Sequence, residues 1–208
     1  FWGNIRFEKS FTPDLCRLLA HAGLVMVTGG LEVADERLLK RMKKGVTLPQ
    51  VIACTNSFKQ AGVLVHAYLM YGFPSQTHRE TMASMEMVRQ LFAQQLLDSA
   101  FWHRFVLTKH SGVYADPAAY QIEVLPTPEK VFATNDMEHI DLEGQDHDVF
   151  DEPLARALAY WMRGEFLDVD LQEFFEQPMP DSLVSESYVE DHLYNQQVQE
   201  FTSHISCM

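Results

Sequence analysis

Glu32 stands just past the pair Gly29-Gly30, which follows the apolar run Leu24-Val25-Met26-Val27. A carboxylate there can accept hydrogen bonds from sugar hydroxyls or from an amine. It equally suits the start of a following helix, where an acid meets the positive end of the dipole; local pattern leaves the two readings level. Lys44 comes twelve residues later and ends a basic run with Lys40, Arg41 and Lys43. It offers a cation for a ligand carboxylate, against the strong alternative that cations simply complement a helix C-terminus. Gly29, Gly30 and Gly72 would let backbone approach a ligand closely. His66 and Tyr68 are two apart in an apolar run, so they share a face with Leu64 and Met70. Tyr68 is nearer the ligand end, and His66 reads rather as a satisfied core histidine. In Phe101-Trp102-His103-Arg104-Phe105, alternation puts Trp102 and Arg104 on one side and Phe101, His103 and Phe105 on the other. An interior Arg104 needs a partner; the other reading has it reaching the rim.

These residues need elements to hold them. Ile5-Arg6-Phe7 is a short strand candidate. Thr12, Pro13 and Asp14 then open a helix that stops at Gly23. The strand starting at Leu24 is apolar without alternation, as expected where both faces are covered in a parallel sheet. Helices are expected from Asp35 to Met42 and from Pro49 to Gln60, a buried strand from Val63 to Tyr71, a helix from Gln76 to Gln95, and a strand from Ser99 to Leu107. The alternation of strand and helix predicts a barrel or a doubly wound sheet. Either fold gathers its ligands at the C-terminal ends of the strands. Tyr120–Leu125 is a last strand candidate, followed by Pro126 and Pro128. An acidic stretch from Thr134 to Pro153 reads as loop, and helices are expected over Leu154–Met162, Leu167–Phe175 and Tyr188–Phe201. The expected division is 1–125 as the β/α part, 126–153 as an acidic linker and 154–208 as a helical appendage.

The net charge of −13 is lopsided. Residues 136–208 hold 18 Asp/Glu and 2 Arg, whereas residues 1–135 hold 14 Lys/Arg and 11 Asp/Glu. An acidic tail disfavours nucleic-acid backbones there. Cys16, Cys54 and Cys207 are far apart, odd in number and form no CxxC knuckle, so they are expected to be neither a disulfide scaffold nor a metal site. Neither a signal peptide nor an apolar run of membrane-spanning length is visible, and a cytoplasmic place is expected. Phe1, not Met, stands first, so the chain is expected to begin inside a larger protein. The sequence contains no GxGxxG, no P-loop lysine motif, no GxSxG and no HExxH.

The run Val27-Thr28-Gly29-Gly30-Leu31-Glu32, followed by Asp35 through Gly45, resembles the fourth-strand region of radical S-adenosylmethionine (radical SAM) enzymes, with their G-x-E and a short helix ending in L-x-x-x-x-K-G. Gln60-Ala61-Gly62 through Gly72-Phe73-Pro74-Ser75-Gln76-Thr77 resembles their fifth strand, A-G-(x)8-G-x-P-x-E-T, with Gln76 where Glu is usual. The resemblance covers about residues 1–125 and is closest to the branch often joined to a cobalamin-binding domain. It implies an α/β fold, a partial (β/α) barrel made of about strands 3–6 of a (β/α)6 barrel. It also implies S-adenosylmethionine and a [4Fe-4S] cluster as cofactors, with cobalamin to be considered in the full protein. In such enzymes the cluster, held by three cysteines, passes an electron to S-adenosylmethionine, and the resulting 5′-deoxyadenosyl radical abstracts hydrogen from a substrate. By position, Gly29 and Gly30 belong to the ligand-binding strand end, and Glu32 would contact the ribose or methionine moiety. Lys44 would pair with the carboxylate. Tyr68, Met70 and Gly72 would line the ribose and adenine site, and Phe105 would close it. Tyr68 stands where some relatives are acidic. The CxxxCxxC motif and the glycine-rich second-strand segment are absent, so the cluster ligands and the upstream half of the barrel are expected outside this chain. The competing readings are a non-catalytic half-barrel scaffold or partner subunit, and a phosphate- or sugar-handling barrel with His103 or His110 as acid/base.

Overall fold

The computed structural model describes residues 1–126 and 135–206. Pro128, Thr134 and Cys207, named above, lie outside the described residues. The first helix shows how local chemistry sets the elements. The Thr12 hydroxyl accepts from Leu15 N at 3.3 Å, Pro13 opens α1 (Pro13–His21), and Asp14 sits in its first turn. Its buried side is marked by Cys16. Thr47 and Gln50 form a reciprocal capping box at the start of α3 (Leu48–Gln60), and Thr77 and Glu80 do the same for α4 (His78–Ala93). The six-residue α2 (Glu36–Arg41) is capped by Asp35.

Between these helices run β1 (Trp2–Ile5), β2 (Met26–Glu32), β3 (Leu64–Tyr71) and β4 (Ser99–Arg104), all parallel, in the spatial order β1-β2-β3-β4. Spatial order equals chain order, with no reversal in the middle. A doubly wound sheet reverses and carries helices on both faces; this sheet winds one way, as a β/α barrel does. Burial agrees. Val65, Ala67, Leu69 and Tyr71 of β3 are buried under helices, while Leu64, His66, Tyr68 and Met70 look out from the other face. The fold is thus α/β, a partial β/α barrel with one face open. The unbroken apolarity of Leu24-Val25-Met26-Val27 is expected to mean cover on both faces; Leu24 and Val27 are buried, but Val25 is exposed.

The first strand ends at Ile5, earlier than expected. Phe7 instead leaves the ladder to pack, fully buried, beneath β2. Beyond Arg104 the chain leaves the sheet. The expected strand to Leu107 splits, because β5 (Leu107–Thr108) pairs antiparallel with β7 (Asp136–Met137). A short α5 (Gly112–Ala115) follows, and β6 (Ile122–Val124) pairs with β8 (His139–Asp141). The stretch read as an acidic linker therefore holds two strands and one wholly buried aromatic, Phe150. Its charges sit on the solvent side of these pieces, which composition could not reveal. The C-terminal helices α6 (Asp151–Trp161) and α7 (Tyr188–Ser206) form as expected. The helix expected over Leu167–Phe175 does not; only a 3₁₀ turn, Leu171–Phe174, is present. Its apolar residues serve as anchors: Leu171 and Phe174 are buried, Phe174 against Trp161. α6 covers β4 and α4, and α7 lies on α3 and α4, so the C-terminal region shares one apolar core with the sheet. No helix among the described residues is long and apolar enough to cross a membrane.

Candidate functional site

Strand β2 does not stop at its glycines. It continues through Glu32, and its register against β3 slips on the way: Gly30 opposes Tyr68, but Glu32 opposes Leu69. This is a bulge, a device that re-aims a side chain. Glu32 adopts φ 63°, a left-handed conformation that is costly for any residue with a Cβ and that gathers at functional sites. Its carboxylate accepts a hydrogen bond from Lys44 Nζ at 2.6 Å. The helix-cap reading of Glu32 therefore fails, since Asp35 takes that role and accepts from Leu38 N at 2.9 Å.

The two glycines have opposite surroundings. A Cβ on Gly30 would lie 2.4 Å from Glu32 Oε1, so this glycine makes room for the carboxylate. A Cβ on Gly29 would lie 2.6 Å from the ring of Phe7 on the helix-covered side. Lys44 lies beyond α2 rather than within it. Lys43 turns the chain at φ 55°, and Lys44 N donates back to Leu39 O at 3.1 Å. The Arg6 guanidinium donates to the Lys44 carbonyl. The Lys44 ammonium is thereby directed at Glu32 rather than left to a helix end.

A second ion pair fixes this arrangement from behind. Arg37 of α2 donates to Glu80 Oε2 of α4 at 2.8 Å and to the Ser75 carbonyl at 2.9 Å. Burial works against the Glu80 carboxylate, but the hydrogen bonds from Arg37 and Thr77 outweigh it and hold its pKa below the ordinary value. Ser75 itself donates its N–H to Asp141 at 2.7 Å. Sequence reading missed this clamp, although the Thr77-x-x-Glu80 spacing was a visible signal of a capping box. Gln76 is fully buried and accepts from Phe73 N at 3.0 Å, bracing the Gly72-Phe73-Pro74 turn.

Tyr68 and Met70 point from the open face of β3, Tyr68 with 42% of its surface exposed. Gly72 has φ 70°, and its missing Cβ would touch Arg104 and His147. Phe105 packs edge-on to Phe73 and to His139, at 5.2 and 5.6 Å between centroids. Gly30, Glu32, Lys44, Tyr68 and Met70 thus gather at the ends of β2 and β3, with Gly29 beneath them. Gly72 and Phe105 lie against the segments after β4.

His66 is not a core residue. It lies half-buried on the open face, with Nδ1 2.8 Å from Ser99 Oγ; burial, then His103, lowers its pKa. Arg104 takes the rim reading and bonds Asp148, with Asp146 and Asp151 at 3.4 and 3.5 Å. Tyr71 donates to Asp151 at 2.7 Å, and its hydroxyl pKa is raised first by burial and then by that bond. Burial pushes the Cys16 thiol up to about 11 and the Cys54 thiol up to about 12. Metal binding needs thiolates. Among the described residues, no three His, Cys, Asp or Glu side chains come together to hold a metal ion.

The chain can now be set beside known proteins. The family model of the radical SAM superfamily matches residues 5–88. An uncharacterized protein of Methanopyrus kandleri is 31% identical over 64 residues, which are 31% of this chain and 12% of that protein. A solved structure of TsrM, a radical S-adenosylmethionine methyltransferase from Kitasatospora setae with cobalamin and a [4Fe-4S] cluster bound, has a TM-score of 0.48 at 16% identity. That match covers 59% of this chain and 24% of TsrM. The chain spans only a small part of either protein. The matched segment runs from β1 through most of α4 and carries Phe7, the glycine pair, Glu32, Lys44, Tyr68 and the Arg37–Glu80 clamp. Through these residues the chain is similar to the radical SAM superfamily over the stretch that the family model matches.

Proposed function

We propose that the ends of β2 and β3 form one wall of an S-adenosylmethionine site in a radical SAM enzyme. The observation that carries this reading is the Glu32–Lys44 pair: a carboxylate and an ammonium 2.6 Å apart, set on a left-handed bulge beside Gly30. S-adenosylmethionine presents an α-carboxylate, an α-amine and two ribose hydroxyls, and this pair complements them. Lys44 takes the carboxylate and Glu32 accepts from the amine or the ribose. Charge-assisted hydrogen bonds of this kind are the strong ones. Gly30 leaves the space in which Glu32 sits, Tyr68 and Met70 line the adjoining surface, and Gly72 with Phe105 bounds it on the next strand. Gly29 supports the wall from below by admitting Phe7. In this superfamily S-adenosylmethionine, reduced by one electron from a [4Fe-4S] cluster, supplies radical chemistry to a substrate.

The described residues do not fit the cluster itself. Cys16 and Cys54 are buried in separate helices with raised thiol pKa values. The proposal therefore assigns the cluster ligands, and the strands that face the open sheet, to polypeptide other than the described residues. It makes cobalamin a cofactor to assay beside the cluster, and a cytoplasmic place belongs to the same reading of the whole protein.

The test uses the protein that carries this chain together with its upstream region, reconstituted anaerobically with iron and sulfide. Incubation with S-adenosylmethionine and a reductant is expected to yield 5′-deoxyadenosine. Lys44→Ala is expected to weaken S-adenosylmethionine binding, measured by calorimetry, by at least about tenfold, since loss of one charge-assisted bond costs roughly 1.5–3 kcal/mol. Absence of the nucleoside, with unchanged binding in Lys44→Ala, would return the chain to the scaffold reading.

A further inference from the structure

The open face of the sheet is not made like the interior of an ordinary barrel, which is filled with layers of branched aliphatic side chains. The registers set its residues in rows. Trp2, Met26 and Leu64 form the lowest row. Asn4, Thr28, His66 and Ser99 form the next, which is polar across all four strands. Gly30, Tyr68 and Phe101 stand above it, with Met70 and His103 higher still.

The polar row is hydrogen-bonded within itself. Thr28 donates to Asn4, and His66 Nδ1 pairs with Ser99 Oγ. Above it His66 and Tyr68 meet edge to face at 4.9 Å, as do Phe101 and His103 at 4.5 Å, while Tyr68 and His103 lie tilted to each other at 5.8 Å. Phe101 keeps 54% of its surface exposed. Among the described residues, His66 Nε2, the Tyr68 hydroxyl and the His103 ring nitrogens have no hydrogen-bond partner. Polar groups enclosed in a barrel need partners. No charged side chain stands in these rows; Glu32 and Lys44 are at the rim, and Arg104 is turned to the Asp148 side. His66, which opposes Thr28, stands three residues before Leu69, which opposes Glu32, so the polar row lies about 10 Å deeper than Glu32 at roughly 3.3 Å per residue.

We propose that this face is a substrate subsite for a flat, uncharged aromatic or heteroaromatic group. Phe101 and His103 form the ring wall, and His66, oriented by Ser99, hydrogen-bonds the ring's polar edge through Nε2. Tyr68 divides this subsite from the rim where Glu32 and Lys44 sit. The inference rests on the S-adenosylmethionine reading, because it places the subsite beneath that wall.

The experiment uses the reconstituted protein with S-adenosylmethionine bound and benzimidazole as probe, observed through the histidine Cε1–H resonances. Benzimidazole is expected to shift the His66 and His103 signals while S-adenosylmethionine stays bound. Phe101→Leu and His66→Gln are each expected to weaken the probe's binding at least about fivefold and to leave S-adenosylmethionine affinity within about twofold. Phe101 is exposed and His66 half-buried, so neither change should unfold the protein; circular dichroism checks this. If benzimidazole and S-adenosylmethionine compete, the ring wall belongs to the adenine and the proposal falls, while the S-adenosylmethionine reading stands. If the probe shifts neither histidine, or both variants bind it as the parent does, the proposal also falls. Failure of S-adenosylmethionine to bind at all overturns the wall reading instead, a distinct result.

Discussion

Replacing each of the adjacent glycines by alanine should give opposite phenotypes. Neither residue has a positive φ, so the added Cβ meets only its neighbours. In Gly29→Ala the Cβ arrives 2.6–3.0 Å from three carbons of the Phe7 ring, which is wholly buried and cannot swing into solvent. Overpacking of this kind costs about 1–3 kcal/mol. For a domain of this size each kcal/mol lowers the melting temperature by roughly 2–4 °C. In Gly30→Ala the Cβ arrives 2.4 Å from Glu32 Oε1, the free end of a flexible side chain. An ordinary van der Waals separation requires that oxygen to retreat by about 1 Å, and it leaves the Lys44 ammonium when it does. Stability should change by less than about 1 kcal/mol, because a partly exposed ion pair contributes little. Binding of S-adenosylmethionine should weaken roughly tenfold or more, the worth of one charge-assisted hydrogen bond. Thermal melts and calorimetric titration of both variants, in the full-length reconstituted protein, separate the two effects. If both alanines lower the melting temperature alike and neither alters binding, the division of labour between the glycines is wrong.

Tyr71→Phe should destabilise by about 0.5–1.5 kcal/mol in denaturant titration, since it removes the hydrogen bond from the buried Tyr71 to the exposed Asp151. Tyr71 has its pKa raised in the fold, so its stabilisation is complete below the ordinary tyrosine value of about 10 and is lost as pH rises through the folded value. The Phe variant should show a flatter alkaline limb. His147 shows the reverse case. Burial lowers its pKa while Thr81 and the Gln145 carbonyl hold the ring, so stability should fall as pH drops below about 6.5. His147→Gln should blunt that acid limb in melts taken between about pH 5 and 7. Cys16 and Cys54 should resist iodoacetamide at neutral pH until the protein is unfolded, as mass spectrometry of the labelled peptides will report; rapid labelling in the native state would contradict their burial.

Much of this protein could be read from the chain. Helix starts are local events, and Thr12-Pro13, Thr47 and Thr77 announced theirs through side chains that reach only three residues ahead. The parallel strands were legible because burial under helices demands sustained apolarity. The order of the two glycine-bearing strand ends, with Glu32 and Lys44 at fixed spacing, was enough to point to the superfamily.

Tertiary structure decided what depends on partners distant in sequence. A barrel and a doubly wound sheet share the same local pattern, and only strand order distinguishes them. His66 looked like a core histidine because its neighbours are apolar; which face of β3 the helices cover is set by packing, and His66 is on the other. Gly29 and Gly30 are indistinguishable as letters, yet one faces Phe7 and the other Glu32, because alternate strand residues point to opposite sides of the sheet. Asp141, Asp148 and Asp151 read as linker charge until the fold brought them to Ser75, Arg104 and Tyr71. Sequence fixes the intrinsic preferences of each segment over a few residues. The meeting of groups many tens of residues apart is set by the shared core, whose burial of apolar surface has no signature in any one window.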